Sequence, residues 1–274
     1  MMTVKKEKAM PVFQWLGTAG FRISFEDKVI LIDPYLTRNE RARPVQDLTP
    51  ADMADADYIF LSHGHFDHLA DIPVIMKVAE ADIYCSSVSA DTLVDAGVTA
   101  GSIHRLSGGD SVTLKGLTVS VTQCEHIKFD LKLILKTAPR LFGQIRDLLP
   151  LMREMPAGPV LNHFFSFGDL SVLHLGSLGL KPGQVKALGV PSPDILFIPL
   201  QGHSDICRLA AELAATIRPR AVIPEHHDDF FPPVSQMIDI EPFRLLLREL
   251  LPECAYYEPI MNRQFSEKDI YQKR

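Results

Sequence analysis

Three histidines and an aspartate fall within six consecutive residues, His63-Gly64-His65-Phe66-Asp67-His68. Imidazole nitrogens and a carboxylate are the donors expected of a zinc site, and they also suit manganese or iron. The spacing sorts them into pairs. In an extended segment, residues two apart point the same way. His63 and His65 therefore bite one cation from one side, while Asp67 and His68 face a neighbouring position. A lone histidine is usually a satisfied surface or core residue. Four such side chains directly after the short apolar run Tyr58–Leu61 point to a metal instead. The chemistry this offers is hydrolysis, because a bound divalent cation polarises a scissile bond and brings the pKa of water down to roughly 7. No G-x-S-x-G elbow is present to supply a serine nucleophile.

The elements that must carry this cluster can be read from periodicity. Val12–Leu16, then Phe21, Ile23 and Phe25 alternating with Arg22 and Ser24, then Val29–Ile32, read as a β-meander ending at Asp33-Pro34. Tyr58–Leu61 is a buried strand that runs into the cluster. Leu69, Ile72, Ile75, Met76 and Ala79 recur at helical spacing after it. Strands are expected at 83–85, 103–106, 111–114 and 117–123, and again at 164–167, 170–175, 195–200 and 221–223. Ile206–Ile217 carries a helical stripe with Ser204 as its cap and Pro219 as its stop. Residues 130–158 break the rhythm and read as a helical insertion, with an amphipathic helix opening at Pro139 and running through Leu141, Phe142, Ile145, Leu148 and Met152. The whole pattern fits an α/β (α+β) fold of two mixed sheets packed face to face with helices outside, over a single domain at 1–274.

Composition sets the limits. The chain has 274 residues, 46% hydrophobic and 23% charged, enough for a full core. A net charge of −6 argues against nucleic acid as a partner, since phosphate binding relies on Lys and Arg. Arg38, Arg41 and Arg43 form a basic loop that reads as solvated. Cys85, Cys124, Cys207 and Cys254 lack CxxC spacing and read as free thiols of a reducing compartment. No apolar run of about 18 residues appears, so no integral membrane segment is expected. The first ten residues lack the apolar core of a secretory signal, and the expected location is cytoplasmic.

The H-x-H-x-D-H spacing of residues 63–68 is similar to the signature of the metallo-β-lactamase superfamily. The opening WLGTAGFRISFEDKVILIDPYL resembles the branch that contains ascorbate-phosphate lactonases and N-acyl-phosphatidylethanolamine phospholipases, and motif-bearing segments run from about Trp15 to Phe230. The resemblance implies a four-layer αββα sandwich with one or two zinc ions at one edge. It implies a first site of His63, His65 and His126 and a second of Asp67, His68 and His226, with His227 as the alternative to His226. It also implies that Asp33 orients one of the ligands from behind. One position departs from the pattern. Where the family has a bridging Asp, LHLGSLG has Ser177, so the second site loses its bridging carboxylate, which implies lower second-site affinity, a single metal, or substitution by another group such as His174. His203, in PLQGHSD, follows a strand at the expected edge and is a candidate substrate contact. The expected function is metal-dependent hydrolysis of an ester, lactone or phosphodiester by metal-activated hydroxide, with Asp67 orienting the attacking water and taking its proton. The substrate is a small molecule, anionic or acylated, and a homo-oligomer is compatible with the sequence. The alternative is a metal-binding protein with a degenerate or redox (di-iron) site and no hydrolysis.

Overall fold

A computed structural model describes residues 9–141, 153–180 and 182–272. The meander forms as the alternation predicts: β1 (Val12–Gly17), β2 (Gly20–Phe25) and β3 (Lys28–Ile32) pair antiparallel. From β3 the sheet continues in parallel through β4 (Tyr58–Phe60), β5 (Asp82–Cys85) and β6 (Ile103–Arg105). The second sheet begins with β7 (Ser111–Leu114), β8 (Leu117–Cys124), β9 (Val160–Phe167) and β10 (Leu170–His174), all antiparallel neighbours. It continues in parallel through β11 (Ile195–Pro199), β12 (Ala221–Glu225) and β13 (Ala255–Tyr256). The chain then returns as β14 (Gln264–Ser266) to the free side of β1. Each sheet has seven strands.

Side-chain alternation explains why the sheets stack. Phe21, Ile23 and Phe25 on one sheet meet Phe165, Phe197 and Ile223 on the other, in a core between the sheets. All of β11 is buried because it is covered twice: Ile195 and Phe197 face that core, while Leu196 and Ile198 face helices outside. The outer face of the first sheet is covered by α1 (Phe66–Leu69), α2 (Ile72–Ile75) and α3 (Ser87–Asp95), through Leu69, Ile72, Ile75, Ala90 and Leu93. Beyond the first sheet's helices comes α4 (Leu131–Leu141). The second sheet is covered by α5 (Ile206–Ile217) and α6 (Glu241–Leu250), and α7 (Glu267–Tyr271) follows β14. The layers are therefore helix, sheet, sheet, helix.

Several local expectations need correction. The stripe from Leu69 to Ala79 forms two four-residue helices, not one. Asp71 stands at the start of the second, and its carboxylate accepts from the backbone amides of Leu36 and Thr37, 2.5 and 2.7 Å away. The cap of α5 is Asp205, because the Ser204 hydroxyl donates to Asp130 at 2.7 Å. The insertion helix starts at Leu131, so Pro139 lies inside its last turn instead of opening it. Residues 142–152, to which the amphipathic face was assigned, lie outside the described residues. Arg38 is not a solvated loop cation, as its side chain is 2% exposed and pairs with the fully buried Asp228 at 2.6 Å.

Candidate metal centre

The residues of the site follow strand ends at one edge of the sandwich, Asp67 and His68 on the short α1 and the others on loops. This is the edge at which open α/β sheets place their ligands. Asp33 follows β3, the histidine cluster follows β4, His126 follows β8, Ser177 follows β10 and His226 follows β12. Glycine permits the crowding. A Cβ on Gly64 would stand 2.3 Å from the carbonyl oxygen of Pro156, and the Gly64 amide donates to Ala157 at 2.9 Å. A Cβ on Gly176 would meet the Ser62 side chain at 2.2 Å.

The residues form two donor groups. One ligand atom each from His63, His65 and His126 lie within 4.8 Å of one another, and so do those from Asp67, His68 and His226. Second contacts fix which nitrogen is free in His63, His126 and His68. The Ser62 hydroxyl donates to Asp33 Oδ2 at 2.5 Å, so the Nδ1–H of His63 donates to that hydroxyl at 3.0 Å and its Nε2 keeps a lone pair. That Nε2 lies 3.1 Å from Nδ1 of His65. The Nδ1–H of His126 donates to the carbonyl of Ile127 at 2.8 Å, which frees its Nε2. The Nδ1–H of His68 donates to Asp33 Oδ2 at 2.8 Å, which frees Nε2 towards Asp67. His226 Nε2 is 3.2 Å from Asp67 Oδ2. Asp33 thus sits behind His68, in the orienting position.

Electrostatics favour a cation here. Burial, then repulsion from its neighbours, holds His63 well below the usual imidazole range. Burial likewise brings His65 down to about 4, and His126 is also lowered, chiefly by burial. Neutral imidazoles with free lone pairs are what a metal requires. The Asp67 carboxyl is held low: burial opposes its ionisation, but the fields of His68 and His226 outweigh burial. His68 is the exception in the absence of metal. Burial opposes its charge, yet Asp33 and Asp67 push its pKa up to about 9. The donor set and its tautomers fit a pair of divalent cations.

His226 is held by a buried network that the sequence did not disclose. Its backbone has a left-handed φ of 53°, and its amide donates to the carbonyl of Thr18 at 2.8 Å. The Thr18 amide donates to the Asp228 carboxylate at 3.1 Å, and Arg38 donates to the Thr18 hydroxyl at 2.7 Å. Gly17, at φ +89°, is needed because a Cβ there would lie 2.0 Å from the Arg38 guanidinium.

The remaining candidates fall elsewhere. His227 stacks on Trp15, ring centroids 4.9 Å apart, and His226 takes the position facing Asp67. His174 belongs to neither donor group. It is fully buried with its Nε2 3.5 Å from Glu225 Oε1. His203 accepts from the Asp205 amide at 3.0 Å and does not line the cavity. Ser177 does line it, and its hydroxyl accepts from the Ile127 amide at 3.0 Å.

A cavity of about 420 Å³ opens over the six donor residues. Its walls are mainly apolar. Ile127, Phe129, Leu133, Ile134 and Met155 come from the insertion side, and Phe66, Phe230, Phe231 and Val234 close the opposite side. Lys136 and Arg140 are the cations in its wall.

Comparison with known proteins agrees with this geometry. Residues 12–226 match the family model described as a β-lactamase superfamily domain. A UPF0173 metal-dependent hydrolase of Cupriavidus necator is 31% identical over 218 residues, 78% of this chain and 72% of the relative. Another UPF0173 metal-dependent hydrolase, from Caldivirga maquilingensis, is 24% identical over 250 residues, 90% of this chain and 94% of the relative. Among solved structures, the metallo hydrolase Igni18 of Ignicoccus hospitalis superposes with a TM-score of 0.67 at 20% identity, covering 93% of this chain and 98% of that one. The matched span holds both donor groups from His63 to His226, and the chain belongs to the metallo-β-lactamase superfamily.

Proposed function

We propose that the chain is a metal-dependent hydrolase that cleaves an ester, lactone or phosphodiester bond in a substrate with an apolar portion. The observation that carries this reading is the pair of donor groups, with tautomers fixed by Ser62, Asp33 and Ile127, on the floor of an apolar cavity. The names of the UPF0173 relatives support hydrolysis.

Zinc is the first choice of metal, with manganese or iron as the other candidates, held by His63, His65 and His126 and by Asp67, His68 and His226. Divalent cations held there supply Lewis-acid polarisation of the scissile bond and an activated water. The protein's own groups supply the rest. Asp67, kept ionised by its histidine neighbours, orients water through a carboxylate oxygen and accepts its proton. Asp33 keeps His68 in one tautomer. Phe66, Phe230 and Phe231 exclude bulk water and hold the apolar part of the substrate, while Lys136 and Arg140 meet an anionic group if the substrate carries one.

The test is a panel of soluble esters, lactones and phosphodiesters of increasing acyl length, assayed before and after metal depletion. Turnover that needs metal and rises in kcat/KM with chain length supports the reading. Absence of turnover across the panel in fully loaded protein contradicts it. Ser177 favours one second reading, a site with a weakened second metal and a binding role in place of hydrolysis, since serine brings no charge to the position.

A further inference from the structure

The insertion helix also exposes apolar side chains that are not part of the cavity wall. Leu133, Thr137 and Arg140 of α4 line the site, but Leu131 and Leu135 do not. They stand 70% and 64% exposed, one helical turn apart. Ile134, between the two faces, is 45% exposed and also lines the cavity, as does Phe129, 55% exposed just before the helix. An exposed apolar stripe is therefore continuous with the mouth of an apolar active-site cavity. Contiguous exposed apolar surface of this kind marks an interaction site.

The charge around the stripe narrows what covers it. Lys128, Lys132, Lys136 and Arg140 accompany one acid, Asp130, in a chain whose net charge is −6. Asp130 is occupied by Ser204, through the Ser204 amide at 2.8 Å and its hydroxyl at 2.7 Å. Lys128 is 87% exposed, with Glu125 3.6 Å away, and Lys132 and Lys136 are exposed. A helix with projecting leucines flanked by lysines is the pattern of an element lying in the headgroup region of an anionic bilayer.

We propose that α4 docks on an anionic lipid bilayer surface, with Leu131 and Leu135 inserted and Lys128 and Lys132 at the headgroups. This places the cavity mouth, through Phe129 and Ile134, against the surface. Docking stands independently of the chemistry. The corollary, that an amphiphilic substrate enters from the bilayer, rests on the hydrolase reading.

The experiment is cosedimentation of the full-length, metal-loaded protein with vesicles of phosphatidylcholine alone or mixed with phosphatidylglycerol. It compares wild type with a Leu131→Glu/Leu135→Glu variant and a Lys132→Glu variant. Wild type is expected to bind the mixed vesicles, and to lose that binding as salt is raised. The leucine variant is expected to bind about tenfold less or weaker still, given the cost of placing two charges where leucines insert. Lys132→Glu should weaken binding to mixed vesicles and leave phosphatidylcholine unaffected. Metal content and turnover of a water-soluble ester should be unchanged in the leucine variant. The proposal is overturned if wild type binds neither vesicle, if the leucine variant binds as well as wild type, or if wild type self-associates through this face and the variant is monomeric. Vesicle binding without any soluble-ester turnover would leave docking intact and remove the hydrolase reading.

Discussion

Asp33 accepts a hydrogen bond from the Nδ1–H of His68 at 2.8 Å, with both side chains buried from solvent. Through Ser62, whose amide donates to Asp33 Oδ1 at 2.7 Å and whose hydroxyl meets both Asp33 and His63, one carboxylate sets the orientation of a ring in each donor group. Asp33→Ala is expected to weaken metal binding by roughly 10- to 100-fold without removing a ligand. Competition with a chromophoric chelator measures this. Affinity equal to wild type would show that the carboxylate has no orienting role.

Ser177→Asp should have the opposite effect. The side chain lines the cavity that the six donor residues also line, and among the described residues its hydroxyl is engaged by the Ile127 amide. A carboxylate there adds a second charged donor to the one that Asp67 supplies. Calorimetric zinc titration should show the weaker site tightening by about tenfold or more, as hard anionic ligands raise divalent-cation affinity. An unchanged second site would mean that the loop between β10 and β11 keeps residue 177 out of reach.

Stability of the metal-free protein should peak near neutral pH. His65 and His63 have folded pKa values below those of the unfolded chain, so the unfolded state takes up more protons and stability falls as pH drops from about 6.5 towards 4. His68 is raised to about 9, so the folded state binds the extra proton and stability falls as pH rises from about 6.5 to 9. Thermal melts across this range check both limbs. Metal uptake should tighten as pH approaches 9, because a cation displaces the His68 proton. A melting temperature that rises steadily from pH 6.5 to 9 would contradict the assignment.

The His174–Glu225 pair is fully buried with its Nε2 and Oε1 3.5 Å apart, and it is expected to act in stability. Burial raises the Glu225 carboxyl, and His174 opposes that rise. His174→Leu strands the carboxyl and should cost roughly 3–5 kcal/mol, whereas His174→Leu/Glu225→Leu should recover most of the loss. Denaturant unfolding of the three proteins gives the answer. Additive losses would show that the two residues do not act as a pair.

What the sequence made legible follows its local periodicity. The meander, the buried strands and α5 appear where alternation or helical spacing is uninterrupted, and the H-x-H-x-D-H run holds four of the six donors. His126 and His226 carry no local signal. His126 stands alone after its strand and His226 is one of two adjacent histidines after another, and resemblance to a family pointed to both. The missed features depend on contacts between distant parts of the chain. Asp71 serves Leu36 and Thr37, Ser204 serves Asp130, and Arg38 finds Asp228 190 positions further along the chain, which no window of sequence reveals. The start of α4 differs from the expectation because Pro139 is a plausible first helical residue, and Leu131 and Leu135 before it face solvent, so they follow no core stripe.

The most direct test of the central claim is metal content per chain, by elemental analysis of protein purified without chelator and dialysed against excess zinc. The account predicts about two equivalents in wild type, the number expected of two adjacent donor groups. It predicts loss of about one equivalent in either His63→Ala or His226→Ala. A wild-type chain without bound metal, or variants that retain the wild-type content, would contradict it.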